Sequence, residues 1–191
     1  MGHDWTTAIL IRHAESRPSP GIPEADWRLT SRGRRQAEEL ADLLATAGIS
    51  AIVTSPYQRA IDTVRPLGKR LGCAVSVRGD LRERELCKTI RDDWQELIAR
   101  AWADFSFALP DCESGLACQK RMVMCMEGIV KEFAGQTVAV CSHGNAIGLL
   151  LNSVDPGFGH ADWQNMGFPD MFWVEWRDGR GVRRDRAGGR V

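Results

Sequence analysis

The chain has 191 residues, of which 43% are hydrophobic, and this length suits one α/β domain with a full core, predicted to span residues 1–191. Its 25 basic and 25 acidic side chains cancel, so no overall positive field would attract nucleic acid or an anionic membrane. Because no apolar run approaches the roughly 20 residues that cross a bilayer and the N-terminus lacks a secretory pattern, we expect a cytoplasmic protein with no membrane partner.

The first third of the chain predicts a strand, a loop and a helix. The short, partly β-branched run from Ala8 to Ile11 is typical of a buried strand. The stretch from Ala14 to Trp27 contains three prolines and a glycine, which predicts a loop. Thr30 can then cap a helix that runs to about Ala47 and stops at Gly48.

A second unit follows the same order. Ile49 to Val53 predicts a strand, and Ser55-Pro56-Tyr57-Gln58 has the pattern of a capping box with proline at the first helical position. Arg59 would therefore lie in the first turn of a helix. Cys73 to Val77 repeats the strand pattern.

The remaining elements alternate in the same way. Asp92 to Phe107 carries apolar residues at helical spacing, and Ser114 can cap a long helix to about Ala134. Thr137 to Cys141 is the most strand-like segment of the chain. Asn145 to Leu151 then predicts a helix and Met171 to Trp176 a last strand, with a tight turn at Asp178-Gly179.

This alternation indicates an α/β fold, which we expect to be a three-layer α/β/α sandwich with a mostly parallel central sheet. An aromatic-rich segment around residues 91–110 interrupts the rhythm, so a small helical lid is expected at about residues 84–115. Its aromatic side chains could line a pocket or, as helical spacing more often indicates, belong to the core: Trp94, Trp102, Phe105 and Phe107.

Basic side chains follow three of the predicted strands. Arg12 and His13 come directly after the first strand, Arg59 shortly after the second, and His143 directly after Thr137 to Cys141. Ligands of open α/β sheets bind beyond the carboxyl ends of parallel strands, so these junctions can meet around one point. Two guanidinium forks suit the oxygens of a phosphoryl group. The pattern predicts a phosphate pocket that contains a nucleophile.

The two histidines have different predicted roles. An imidazole beside two guanidinium groups should stay neutral, so His13 is the better nucleophile and His143 a donor to phosphoryl oxygens. A lone histidine more often only satisfies a local hydrogen bond, but both of these follow buried strands, and Gly144 permits close backbone approach. Amides at the helix starts near Ser55 and Asn145 would add further donors.

Expulsion of an alkoxide needs a proton donor. Glu83, Glu85 and Glu113 lie near a predicted strand end, although the charged cluster around Glu83 could equally be a solvated surface. Glu15 could be either an ion-pair partner of an arginine or a catalytic group.

Several short motifs together resemble the histidine phosphatase superfamily, which includes the cofactor-dependent phosphoglycerate mutases. The run Arg12-His13-Ala14-Glu15-Ser16 is similar to the Arg-His-Gly-Glu signature of that family. The resemblance continues in order over most of the chain, through Leu29-Thr30 with Gly33, Gln36 and Ala37, Thr54-Ser55-Pro56 with Arg59 and Ala60, Leu81-Arg82-Glu83, Glu113-Ser114, and Ser142-His143-Gly144-Asn145. It implies a phosphoglycerate mutase-like fold.

The resemblance also implies a two-step phosphoryl transfer through a phosphohistidine on His13, in a pocket formed with Arg12, Arg59 and His143. It assigns the general acid and base to Glu83. It implies no metal and no other cofactor, because arginine, histidine and amide donors take over the charge that Mg²⁺ neutralises in kinases.

Three positions bear on the remaining donors. Ala14 replaces the usual glycine of the signature. Ser19 stands where many members carry an asparagine six residues after the nucleophile, and we include both Ser19 and Asn145 among the expected phosphate-binding residues.

A phosphatase of small phosphomonoesters is favoured over a mutase, since 191 residues leave little room for the extended lid and tail of the mutases. The alternatives are phosphoglycerate mutase-type transfer and a phospholigand-binding protein with weak turnover, against which the retention of His13 and Glu83 counts. We expect a small phosphorylated substrate as partner, and a homodimer is compatible with the sequence.

The arginine-rich C-terminal segment is interpreted as a solvated hairpin and tail rather than a nucleic-acid contact. Its arginines are Arg177, Arg180, Arg183, Arg184, Arg186 and Arg190.

Overall fold

The centre of the molecule is a six-stranded mixed sheet, seen in a computed structural model that describes residues 5–89, 92–177 and 180–184. The strands are β1 (Thr6–Arg12), β2 (Ile49–Thr54), β3 (Val75–Val77), β4 (Thr137–Ser142), β5 (Asp170–Arg177) and β6 (Arg180–Arg184). They are ordered β3-β2-β4-β1-β5-β6. The first four in this order are parallel, whereas β5 runs antiparallel to β1 and β6 antiparallel to β5.

Helices cover both faces of the sheet. The α-helices in the described residues are α1 (Ser31–Leu44), α2 (Gln58–Leu71), α3 (Trp94–Ala103), α4 (Gly115–Glu132), α5 (Gly144–Val154) and α6 (His160–Gln164). Leu40 and Leu67 of α1 and α2 are buried on one face, and Ile98, Met122 and Leu150 of α3, α4 and α5 are buried on the other. Burial of each such side chain contributes about 1.5–3 kcal/mol. The predicted three-layer sandwich with a mostly parallel sheet is confirmed.

Two helices begin at the caps that the sequence predicts. The Thr30 hydroxyl accepts a hydrogen bond from the Gly33 amide over 2.9 Å, and the Ser114 hydroxyl accepts one from the Ala117 amide over 3.1 Å. Each satisfies an amide that the first turn of a helix leaves unpaired.

The capping box predicted at Ser55 is wrong. The Ser55 amide donates to the carbonyl of Cys141 over 2.9 Å, so it is not free to donate to the side chain of Gln58. Gln58, which would have reached back, instead donates to Asp62 over 2.8 Å. Helix α2 therefore begins at Gln58, and the Ser55 hydroxyl turns towards His143.

The segment predicted as a lid contains α3, which packs as part of the core. Trp102 is buried, and Trp94, Phe105 and Phe107 pack against the same apolar cluster. Of the two interpretations of these aromatic side chains, the structure supports the core. Residues 90 and 91 lie outside the described residues, and a lid function for the segment stays a prediction.

The predicted C-terminal hairpin is present as β5 and β6, which pair from Trp173 with Arg184 to Arg177 with Arg180. The turn predicted at Asp178-Gly179 lies outside the described residues, as do Arg186 and Arg190. Within the described ranges, no helix is both long enough and apolar enough to cross a membrane.

Candidate functional site

The carboxyl ends of β1 and β4 meet at one edge of the sheet, because Arg12 pairs in register with Ser142. His13 and His143 follow directly, and their ring centroids lie 5.2 Å apart. Arg59, in the first turn of α2, places its Nε atom 3.1 Å from Nε2 of His13. The structure thus brings the predicted basic side chains together.

Both ring nitrogens of His13 have a partner. Nδ1 lies 2.7 Å from the carbonyl oxygen of Ala14, and the Arg59 Nε–H donates to Nε2. A carbonyl only accepts and a guanidinium only donates, so the proton sits on Nδ1 and the lone pair on Nε2. Burial, followed by the charge of Arg59, lowers the pKa of His13 well below its ordinary value. His13 is therefore neutral, as predicted, although burial is a larger cause than the guanidinium charge.

His143 is fully buried and is oriented by Ser55. Its Nε2 lies 2.7 Å from the Ser55 hydroxyl, which also accepts from the Tyr57 amide over 3.2 Å. Nδ1 of His143 is buried and has no hydrogen-bond partner among the described residues. Burial and the charge of Arg59 lower the pKa of His143. If Ser55 donates to Nε2, the ring proton lies on Nδ1, which is then a free donor.

The guanidinium of Arg12 lies between a backbone carbonyl and an aromatic ring. It donates to the carbonyl of Met166 over 2.8 Å, and its central carbon lies 3.6 Å from the ring centroid of Phe168. A Cβ atom on Gly144 would come within 3.2 Å of the guanidinium, which explains the glycine there. Burial is the main cause that lowers the pKa of Arg12 to about 10, so the group stays charged at neutral pH.

The guanidinium of Arg59 is almost completely buried and contacts an acidic residue that the sequence did not predict in the site. It donates to the Glu24 carbonyl over 2.7 Å and to the Glu24 carboxylate over 2.6 Å. The rings of Tyr57 and Trp27 flank it, with centroids 4.9 and 5.6 Å from its central carbon.

Glu83 binds the start of α5 through its carboxylate. It accepts from the amides of Asn145 and Ala146 over 3.2 and 3.0 Å, and from the Arg84 amide over 2.8 Å. The helix start favours the anion, but burial is the larger effect and raises the pKa of Glu83 above its ordinary value. In this structure these two helix amides bind a carboxylate of the protein, whereas the sequence predicts them as phosphate donors.

The three other candidate acids have partners away from the two histidines. Their partners are Arg121 for Glu113 (2.8 and 2.6 Å), Lys88 for Glu85 (2.8 Å), and Thr30 and Arg32 for Glu15 (2.5 and 3.5 Å). Glu83 is therefore the one of these four acids whose carboxylate binds the start of α5, within three residues of His143.

Two predicted phosphate-binding residues are less closely tied to the site. The Ser19 hydroxyl donates to the carbonyl of Arg17 over 3.4 Å, and no hydrogen bond within the described ranges links it to His13. The Oδ1 atom of Asn145 is buried and has no hydrogen-bond partner among the same residues. Their roles stay predictions.

Sequence reasoning missed four side chains of the site. Ser55 and Tyr57 stand in the same strand-to-helix junction as Arg59, and that proximity was a usable signal. Glu24 begins a single 3-10 turn, Glu24–Asp26, and Phe168 lies in an irregular segment, so no periodicity predicts the direction of either side chain.

Comparison with known proteins identifies the family. The profile of the histidine phosphatase superfamily (branch 1) matches residues 8–182, and the chain belongs to this superfamily. It is 29% identical over 196 residues to the bifunctional protein Rv2228c of Mycobacterium tuberculosis (strain ATCC 25618 / H37Rv), covering 87% of this chain and 50% of that protein. It is 27% identical over 160 residues to the probable phosphoglycerate mutase GpmB of Klebsiella pneumoniae (strain 342), covering 76% and 73%. The chain thus spans about half the length of the mycobacterial relative.

Solved structures confirm the phosphoglycerate mutase-like fold. The mycobacterial glucosyl-3-phosphoglycerate phosphatase Rv2419c superposes with a TM-score of 0.76 at 24% identity, over 94% of this chain and 97% of that one. A phosphoserine phosphatase from Entamoeba histolytica, in complex with 3-phosphoglyceric acid, gives 0.78 at 19% identity, over 94% and 95%.

Proposed function

We propose that this chain is a metal-independent phosphatase that hydrolyses small phosphomonoesters through a phosphohistidine on His13. The observation that carries the proposal is the state of His13, a neutral buried imidazole whose lone pair on Nε2 lies 3.1 Å from a guanidinium nitrogen. A phosphoryl group bound at this point meets a nucleophile and cationic donors together.

In the first step, Nε2 of His13 attacks phosphorus while the bond from phosphorus to the ester oxygen breaks. The Arg59 Nε–H moves from Nε2 to a phosphoryl oxygen, which frees the lone pair. Glu83 gives its proton to the leaving oxygen, because its raised pKa keeps that proton available. The phosphorylated ring is positively charged, and the Ala14 carbonyl stabilises it by accepting from Nδ1–H over 2.7 Å.

In the second step, water attacks the phosphorus of phosphohistidine and the phosphorus–nitrogen bond breaks. The Glu83 carboxylate takes a proton from this water, so both the acid and neutral His13 are regenerated as inorganic phosphate forms. Arg12, Arg59 and the Nδ1–H of His143 donate to the phosphoryl oxygens in both steps.

The proposal predicts turnover without metal and a phosphorylated enzyme. We expect hydrolysis of p-nitrophenyl phosphate to be unchanged by EDTA, and rapid quenching to recover phosphate on the protein that is stable in alkali and labile in acid. A protein that binds phosphate but hydrolyses no ester of a broad panel would contradict the phosphatase and favour the phospholigand-binding alternative. Interconversion of phosphoglycerates without release of phosphate would favour a mutase.

Ser55 is predicted to position His143 through the hydrogen bond to Nε2. Loss of one such bond costs about 1–2 kcal/mol, so we expect Ser55→Ala to lower kcat/KM for p-nitrophenyl phosphate by roughly 5–30-fold. The matched control is Ser50→Ala, because Ser50 lies near the start of β2, whereas Ser55 follows its end, and the Ser50 hydroxyl donates to the Gln136 side chain over 2.7 Å. Initial rates of both variants test the assignment, and thermal unfolding checks that both are folded. If Ser55→Ala and Ser50→Ala hydrolyse the ester at the same rate, Ser55 does not position His143.

A further inference from the structure

Arg59 joins the nucleophile to a carboxylate of the protein. Its Nε donates to His13, and its other two nitrogens donate to the carbonyl and the carboxylate of Glu24 over 2.7 and 2.6 Å. The nitrogens of one guanidinium lie only about 2.3 Å apart. The Glu24 carboxylate is therefore within about 8 Å of the atom that would attack phosphorus, which is the reach of a short phosphate ester.

Arg59 fixes Glu24 at two points, and part of the Glu24 side chain stays exposed. Arg59 holds its backbone carbonyl as well as its carboxylate, while 38% of the Glu24 side chain is exposed. A phosphoryl group needs the Nε end of Arg59, next to His13, and the contacts of the other two nitrogens with Glu24 can persist beside it. Glu24 then meets the alcohol part of the substrate rather than the phosphoryl group.

The surroundings of Glu24 favour positive over negative charge on that alcohol. The positive charges of Arg12 and Arg59 bind the phosphoryl group. The negative charge of Glu24 contributes to the raised pKa of Glu83, so the electric field of Glu24 reaches the reaction centre. The rings of Trp27 and Tyr57 already lie against the guanidinium of Arg59, so the neighbourhood of Glu24 is one that accommodates a cation beside aromatic rings. A substrate carboxylate at this place would be repelled.

We infer that Glu24 is a specificity-determining residue, which favours phosphomonoesters whose alcohol carries an ammonium group and disfavours those whose alcohol carries a carboxylate. The inference rests on the proposed function and names its substrate class as the phosphate esters of amino alcohols. The selectivity arises from the charge of Glu24 at a fixed distance from the phosphoryl group, so it affects the binding of substrates as well as their turnover.

The test compares three esters of similar size: O-phosphoethanolamine, ethyl phosphate and phosphoglycolate. Calorimetric titrations use the full chain with His13→Ala, which removes turnover but leaves Arg59 and Glu24 in place. We expect O-phosphoethanolamine to bind about tenfold more tightly than phosphoglycolate, with ethyl phosphate between them. Glu24→Gln and Glu24→Ala, each in the same background, should reduce the difference to about twofold. Asp26→Asn, an exposed change of the same charge on the same turn, should leave it unchanged.

Other outcomes separate this inference from the proposed function. If Glu24→Gln changes the affinity of all three esters by one common factor, Glu24 only orients or occupies Arg59 and the inference is wrong. The inference is also wrong if the His13→Ala protein with Glu24 intact binds the three esters equally well. Turnover is measured separately with His13 intact: charge-dependent binding without any turnover contradicts the phosphatase alone, whereas turnover with charge-independent binding contradicts the selectivity alone.

Discussion

Replacement of His13 by alanine is expected to reduce kcat by at least about 10⁴-fold, because the substitution removes the atom that accepts the phosphoryl group. Alkali-stable phosphate should disappear from the quenched protein at the same time. Binding of inorganic phosphate should persist within about tenfold, since Arg12, Arg59 and His143 remain. The measurements are steady-state rates, phosphoenzyme recovery and calorimetric titration with phosphate.

A histidine outside the site provides the control for this experiment. His160 packs beside the rings of Trp102 and Trp163, with centroids 6.3 and 5.7 Å away, and the proposed mechanism gives it no step. His160→Gln should therefore keep kcat within about twofold, whatever it costs in thermal stability. Residual turnover of the His13→Ala protein near that of the parent would mean that water attacks the ester directly, and the phosphohistidine mechanism would be wrong.

The parts of the site that could be predicted are those that follow from sheet geometry. Arg12, His13 and His143 each come at the end of a strongly apolar strand, and parallel neighbours necessarily bring such ends together. The place of Arg59 can be predicted by the same geometry, because the turn between β2 and α2 is short. Glu83 has no such pattern, and it was singled out only through the resemblance to a family.

The parts that could not be predicted depend on competition between contacts. Ser55 has the sequence of a helix cap, but its amide is taken by Cys141 and its hydroxyl by His143. The amides at the start of α5 resemble an anion site, yet Glu83 already fills it. Glu24 comes from a loop with three prolines, in which local rules predict a turn but not its direction.

The fold shows the same division. Apolar periodicity located the strands and the long helices, and the caps at Thr30 and Ser114 fixed two starts within one residue. The antiparallel direction of β5 and the short helix α6 were not predicted, because each depends on how a loop returns across the molecule.

The opposite shifts of two pKa values explain how one site can hold both a nucleophile and an acid. With ordinary values of 6.5 for histidine and 4.5 for glutamate, His13 would be mostly protonated at any pH where Glu83 carries its proton. Burial destabilises the charged form of each, so it lowers the pKa of His13 and raises that of Glu83. These opposite shifts favour the coexistence of the neutral imidazole and the protonated carboxyl.

The two pKa shifts predict how activity depends on pH and on the leaving group. As pH rises through the raised pKa of Glu83, the acid is lost and kcat/KM for an alkyl phosphate should fall. As pH falls through the lowered pKa of His13, the nucleophile is lost and hydrolysis of every ester should fall. A nitrophenolate leaves without a proton, so the alkaline decline should be much weaker for p-nitrophenyl phosphate.

Glu83→Gln is the variant that isolates this acid, and we expect kcat/KM for an alkyl phosphate to fall by about 10²–10⁴-fold. The same change should lower kcat/KM for p-nitrophenyl phosphate by no more than about tenfold, and the alkaline decline with the alkyl ester should disappear. Glu85→Gln is the matched control, because Glu85 is exposed and pairs with Lys88 over 2.8 Å. Equal losses on both esters would show that Glu83 acts only by holding the start of α5, and the proton would then have to come from another group.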